Sequence, residues 1–177
     1  MKIEFVATSQ FSETQKESLK QLRAAVYPAA VLATLIGKNV TWASPDWSIL
    51  VWDENELVSR VGLIRREIIS NGESKLIGGV GGVMTHPQRQ GKGHASAAMH
   101  EAVRIFRDEW QVAYALLFYG TRVNEFYKRL DWKQFDGQTF VQQPKGRVEF
   151  TVNKAMVLDV KESAPLDGTL DLNGLPW

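Results

Sequence analysis

The chain has no cysteine. That excludes disulfides, thiolate nucleophiles and cysteine-ligated zinc. It also lacks an excess of either charge, since 21 Lys and Arg against 20 Asp and Glu leave a formal net charge of +1. The basic residues do not gather into a run, so no nucleic-acid partner is expected. No long apolar run exists either: the most apolar segment, Ala24 to Ile36, is interrupted by Pro28 and falls short of the roughly 20 residues that span a bilayer. With no secretory leader at Met1-Lys2-Ile3-Glu4-Phe5, the expectation is a soluble cytoplasmic protein without a membrane partner. Histidine is scarce. His86, His94 and His100 are too scattered for a metal site and read as loop and helix surface.

What is present suits a globular protein. At 177 residues, 44% apolar and 23% charged, the chain is the size of one domain with a real core, with residues 160–177 as a tail. Ile3 to Ala7 reads as a first strand. Ser12-Glu13-Thr14-Gln15 is a capping box opening a helix that turns Leu19, Leu22 and Val26 inward until Pro28. A shorter helix is predicted from Ala29 to Ile36, ended by Gly37. Trp47 to Trp52 and Leu57 to Ile69 read as strands joined by the polar turn Asp53-Glu54-Asn55-Glu56, and Asn71-Gly72 signals a further hairpin. A glycine-rich strand from Ser74 precedes a helix from about Gly91 to Glu109, a strand Ala113 to Tyr119 and a helix Arg122 to Leu130. Phe135 to Gln142 and Val148 to Val160 supply the last strands. The class is therefore mixed α/β (α+β).

Val83-Met84-Thr85-His86-Pro87-Gln88-Arg89-Gln90-Gly91-Lys92-Gly93-His94-Ala95 carries the chemistry. It reads as a strand ending at a proline, a glycine-punctuated loop and a helix start. Gly91 and Gly93 permit positive φ and close backbone approach, and the helix start adds unpaired N–H donors and the positive end of the dipole, so the segment suits a phosphate or pyrophosphate. A nucleotide P-loop would need GxxxxGK followed by Ser or Thr, but His94 follows Gly93. A dinucleotide fingerprint would need GxGxxG at the first strand-to-helix turn. The plain alternative is a tight connection and nothing more.

Gln88-Arg89-Gln90-Gly91-Lys92-Gly93 resembles the [RQ]xxGx[GA] signature of the GNAT N-acetyltransferases, and Phe126-Tyr127-Lys128-Arg129-Leu130-Asp131-Trp132 resembles that family's FYxxxGF segment. Asp131 replaces the usual glycine, and Gly120 stands where many members carry a cofactor-contacting asparagine. Within the family the chain looks nearest to the aminoglycoside 2'-N-acetyltransferases and nodulation N-acyltransferases, through Val61 to Arg66, the glycine-rich fourth strand, Val157 to Val160 and a tail closing on Trp177.

The resemblance implies a mixed central sheet of six to seven strands, splayed between the fourth and fifth and flanked by about four helices. It also implies acetyl-CoA as co-substrate, no metal, and a homodimer as a possible assembly. Coenzyme binding would fall to Val83, Met84, Thr85, Gln88, Arg89, Gln90, Gly91, Lys92, Gly93, His94 and Ala95. Lys92 and Arg89 would reach phosphate oxygens, and Val83 and Thr85 would pair with the pantetheine arm as an added strand. Gly81-Gly82 in mid-strand marks a bulge or a close backbone approach, which would place the thioester near a strand N–H able to stabilise an oxyanion.

Tyr127 stands at the family's general-acid position; otherwise it is a half-buried helix aromatic. The base is open, because the position aligned with the aminoglycoside group's acid is Gly81. A water chain, Glu149, Asp159 or the terminal carboxylate of Trp177 could serve, the last implied by related acetyltransferases.

Acceptor contacts are expected at Tyr27, Gly81, Phe118 and Tyr119. From Ser18 to Pro45 there is no Asp or Glu. Val26, Tyr27, Pro28, Val31, Leu32, Leu35, Ile36 and Trp42 stand there instead, with Lys38, either as the core of a helix pair or as an apolar acceptor wall. The activity implied is transfer of an acyl group from acetyl-CoA to a primary amine of a small molecule by direct attack in a ternary complex. The alternative is a coenzyme-A-binding sensor or interaction module with little or no catalysis.

Overall fold

A computed structural model describes residues 1–34, 37 and 39–177. The expectations placed on Leu35, Ile36 and Lys38 lie outside them. The described strands are β1 (Lys2–Ala7), β2 (Trp47–Asp53), β3 (Glu56–Ser70), β4 (Glu73–Thr85), β5 (Tyr114–Tyr119), β6 (Lys133–Phe135), β7 (Gln138–Gln143), β8 (Gly146–Glu149), β9 (Lys154–Asp159) and β10 (Thr169–Asp171). The helices are α1 (Glu13–Val26), α2 (Ala29–Thr34), α3 (His94–Arg104) and α4 (Asn124–Lys128). Seven strands lie side by side as β1-β2-β3-β4-β5-β9-β6, the expected size of the main sheet. The far end of the long β3 pairs instead with β10, which leads on to β7 and β8.

Those three extra strands correct the expected total. The predicted strand Phe135 to Gln142 divides at Asp136-Gly137. The predicted strand Val148 to Val160 breaks after Glu149, where Phe150 buries its ring against Trp42 and Phe118 at 5.6 and 5.0 Å. Residues 160–177 do not form a loose tail. Leu170 and Leu172 are fully buried, Arg66 Nη1 donates to the Leu175 carbonyl at 2.7 Å, and the Ala43 N–H donates to the Pro176 carbonyl at 2.7 Å.

Strand alternation sends the two faces of the sheet to different helices. Ile49, Val51, Val61, Leu63 and Val80 meet Ala98, Met99, Ala102, Ile105 and Phe106 of α3 and its extension. On the other face Leu50, Leu57 and Met84 receive Leu22 of α1. The predicted capping box holds the start of α1: Ser12 Oγ accepts from the Gln15 N–H at 3.2 Å, and Gln15 Oε1 accepts from the Ser12 N–H at 2.9 Å. After α3 the chain widens into a π turn over Ile105–Glu109, closed by the Trp110 N–H on the Ile105 carbonyl at 2.8 Å.

The glycines of β4 are explained by what lies over them. A Cβ at Gly78 would stand 2.6 Å from the Phe106 ring, and one at Gly79 would stand 2.5 Å from the Trp177 indole. At Gly81 it would be 3.0 Å from Trp177 Cδ1, and at Gly82 it would overlap Arg60 Nη1. The strand gives up its own side chains to seat those of α3, the C-terminal segment and β3.

Candidate active site

β4 and β5 pair only over Ile77–Val80 and Tyr114–Leu117, although both strands continue. The cause is a bulge. On the β3 side Arg60 pairs with Met84 and Gly62 with Gly81, so Gly82 and Val83 together stand opposite Val61. Gly82 has φ +55°, a left-handed value that a side chain would strain. The extra residue bends β4 away from β5, and a cleft of about 1040 Å³ opens between the end of β4, the glycine loop and the start of α3 on one side and Phe118-Tyr119-Gly120 and α4 on the other.

At the outer end, Gly91 and Gly93 have φ +75° and +83°, with Gly93 as the N-cap of α3, and a Cβ at either would touch nothing. Both glycines are there for backbone conformation. The first turn of α3 thus presents main-chain donors to the cleft, which suits an anion. Val83, Thr85, Arg89, Gln90, Gly91, Gly93, His94 and Ala95 line it.

Strand alternation turns the Met84 side chain into the core beside Leu22 and Leu50, and the side chains of Gln88 and Lys92 are exposed. Arg89 lines the cleft and rests its guanidinium on the β2–β3 turn, with Nη2 3.2 Å from Glu54 and 3.0 Å from Glu56 and Nη1 3.8 Å from Asp53. His94, expected at the surface, is not a surface residue. It is buried at the head of α3, where neither ring nitrogen has a hydrogen-bond partner and Nε2 lies 3.7 Å from Asp53 Oδ2.

Tyr127 sits on α4 in the cleft wall, buried, with ring centroids of Phe126, Tyr119 and Trp132 at 5.0, 6.2 and 6.4 Å. Burial drives its phenol well above the usual tyrosine range, with a further push from Tyr27. Tyr119 is raised in the same direction, again mainly by burial. A phenol in such surroundings holds its proton until a stronger base forms beside it.

The inner end brings together Tyr27, Gly81, Phe118 and Tyr119, all of which line the cleft. Trp177 does not line it but lies directly behind it. Its indole rests on Gly79 and Gly81, 5.7 Å from the Phe118 ring and beneath the Arg66 guanidinium at 5.1 Å. Its main-chain carbonyl carbon is 3.2 Å from where a Gly81 side chain would begin.

The two candidate acids from the last strands are elsewhere. Asp159 pairs across from Tyr114, at the closed end of β5, and is held by Lys133 at 2.6 Å. Glu149 is exposed on β8 opposite Phe140. No Asp or Glu among the described residues lines the cleft.

The lining residues not assigned from the sequence include Arg122, Arg129 and Asn153. The first two stand with Phe126 at i, i+4 and i+7, a stripe that helical spacing would have exposed. Asn153, between β8 and β9, gave no such signal. Among the described residues no group of His, Cys, Asp or Glu is arranged to hold a metal, and no helix is long and apolar enough to cross a membrane.

The profile of the acetyltransferase (GNAT) domain matches residues 9–135. No curated protein sequence matches the chain. Among solved structures, Escherichia coli ElaA superposes with a TM-score of 0.61 at 16% identity, covering 90% of this chain and 100% of its own. A GNAT family acetyltransferase from Brucella melitensis in complex with acetyl-CoA gives 0.56 at 13% identity, covering 96% and 94%. The Bacillus subtilis N-acetyltransferase YlbP in complex with coenzyme A gives 0.55 at 14%, covering 92% and 99%.

Proposed function

The chain belongs to the GNAT acetyltransferases and is an acyl-CoA-dependent N-acetyltransferase, and from that premise we propose that it acylates a primary amine of a small molecule by direct attack in a ternary complex. One observation carries the reading. The bulge at Gly82-Val83, the glycine loop and the buried Tyr127 converge on a single cleft whose inner end holds Tyr27 and Phe118.

In this reading acyl-CoA brings an activated thioester, and the chain supplies the rest. The N–H groups from Arg89 to Ala95 and the α3 dipole hold the pyrophosphate. The edge of β4 that β5 leaves unpaired, from Val83 to Thr85, receives the pantetheine amides. The Val83 N–H faces the thioester oxygen as negative charge grows there, and Tyr127 gives its proton to the departing thiolate. Trp177 backs the acceptor end through Gly81 and Phe118. With no Asp or Glu on the cleft wall among the described residues, the attacking amine loses its proton to water. That same lack of acids disfavours a polycationic acceptor, which would enter against Arg122 and Arg129 with nothing to pair its charges.

A thiol-release screen from acetyl-CoA tests the proposal, using amino acids, arylamines, polyamines and aminoglycosides. Turnover with a singly charged or neutral amine is the expected result. Coenzyme binding without turnover on every class would point to a binding module instead, and failure to bind acetyl-CoA would sink both readings.

A further inference from the structure

β3 places a cation behind the cleft wall. Arg60 is 7% exposed, and its partners are neutral: Nε and Nη2 donate to Ser48 Oγ at 3.1 and 3.0 Å, and Nη1 donates to the Gly82 carbonyl at 3.2 Å. A guanidinium buried without a carboxylate is costly. Burial, with Arg23 nearby, pushes its pKa down to about 10, which still leaves it charged at neutral pH. The fold also keeps space for it. A Cβ at Gly62 would lie 2.8 Å from Nη2 and one at Gly82 would overlap Nη1, so two positions on neighbouring strands are bare where the guanidinium sits. An apolar side chain would fill that slot without the desolvation cost, so packing alone does not account for an arginine there.

The carbonyl it grips belongs to the bulge. Gly82 and Val83 are the two residues set against Val61 alone, so the Gly82–Val83 peptide is outside the regular ladder register and free to take its own orientation. In a planar trans peptide the C=O and the following N–H point in opposite directions. Whatever fixes the Gly82 oxygen therefore fixes the Val83 hydrogen. We propose that Arg60 is a positioning residue for acyl transfer: by holding the Gly82 carbonyl it aims the Val83 N–H at the thioester oxygen. The charge-assisted bond also polarises the peptide, which makes that N–H a stronger donor. Arg60 itself does not line the cleft. The inference rests on the assignment of Val83 as the donor to the thioester.

The test reads the carbonyl itself. With acetyl-CoA carrying carbon-13 at the thioester carbonyl, binding to the unmodified enzyme should move the C=O stretch to lower frequency, and Arg60→Gln should abolish most of that movement. Turnover should fall about 10- to 100-fold, the range expected for a weakened oxyanion donor, with coenzyme affinity within about twofold because the pyrophosphate site is untouched. Arg60→Lys should recover part of both signals. If Arg60→Gln does not fold, Ser48→Ala serves, since it removes the guanidinium's other anchor and should reduce the frequency shift in the same direction. An unchanged carbonyl stretch and turnover in the variant that folds would overturn the proposal while leaving the acyltransferase reading intact. Absence of any shift in the unmodified enzyme that binds and turns over acetyl-CoA would instead remove the Val83 donor on which the proposal stands.

Discussion

Gly79→Ala is the sharpest test of how the inner end of the cleft is built. The new methyl would stand 2.5 to 2.8 Å from three atoms of the Trp177 indole, a ring already confined by Gly81, Phe118 and Arg66. Since β4 is pinned by β3 on one side and β5 on the other, the indole is what must leave. Losing a buried tryptophan costs about 3–5 kcal/mol in typical cores, and replacing glycine by alanine returns about 0.4–1 kcal/mol by restricting the unfolded chain. The expected net destabilisation is therefore about 2–5 kcal/mol, read as a lower urea midpoint with an unchanged slope. The decisive measurement is a double-mutant cycle with Trp177→Ala. If the cost of Gly79→Ala comes from evicting the indole, it should vanish or change sign once the indole is gone. Equal costs in both backgrounds would refute the account of why β4 carries glycine here.

Other outcomes follow from the site. Tyr127→Phe should lower turnover about 100-fold, within the range for a lost general acid, with acetyl-CoA affinity nearly unchanged in a binding titration; unaltered turnover would remove Tyr127 from the chemistry. Because burial raises the Tyr127 phenol, the folded state holds that proton above pH 10 while the unfolded chain releases it. Stability from this group is therefore complete below about pH 10 and declines as pH rises further, which denaturation at a series of alkaline pH values should show in the native protein but not in Tyr127→Phe. Replacing Glu54 and Glu56 by Gln should leave Arg89 only its longer contact with Asp53 at 3.8 Å and tighten acetyl-CoA binding about two- to fivefold at low salt, with the gain fading at high salt as exposed pairs are screened; tighter binding that persists in high salt would mean the acids act by another route.

Much of this was legible in the sequence because it rests on local rules. The capping box at Ser12, the hairpin at Asn71-Gly72 and the alternation of β2 are settled by neighbours a few residues apart, and each is found where the pattern put it. The bulge at Gly82-Val83 was foreshadowed for the same reason, since the paired glycines Gly81-Gly82 in mid-strand mark a bulge or a close backbone approach. The long-range partners were not. Nothing in the residues around Gly78, Gly79 or Gly82 says that Phe106, Trp177 and Arg60 will lie over them. The attachment of Arg89 to Glu54 and Glu56 depends on a hairpin more than thirty residues away. The C-terminal residues lack a strong strand pattern, and β10 forms because β3 and β7 offer it two edges at once.

That position of β10 bears on how the molecule assembles. Among the described residues the β7–β8 hairpin joins the hydrogen-bonded ladder of the main sheet through Thr169–Asp171, which bridges Ile69–Ser70 of β3 on one side and Gln138–Phe140 of β7 on the other. A chain emerging from the ribosome can zip β2, β3 and β4 early, because these strands pair as consecutive hairpins. The hairpin must wait for the segment made after it. Closing that bridge joins residues about a hundred positions apart, the type of contact that slows folding. The final consolidation of the sheet is therefore expected to be a late, slow step, during which the far end of β3 has no strand beside it on that edge.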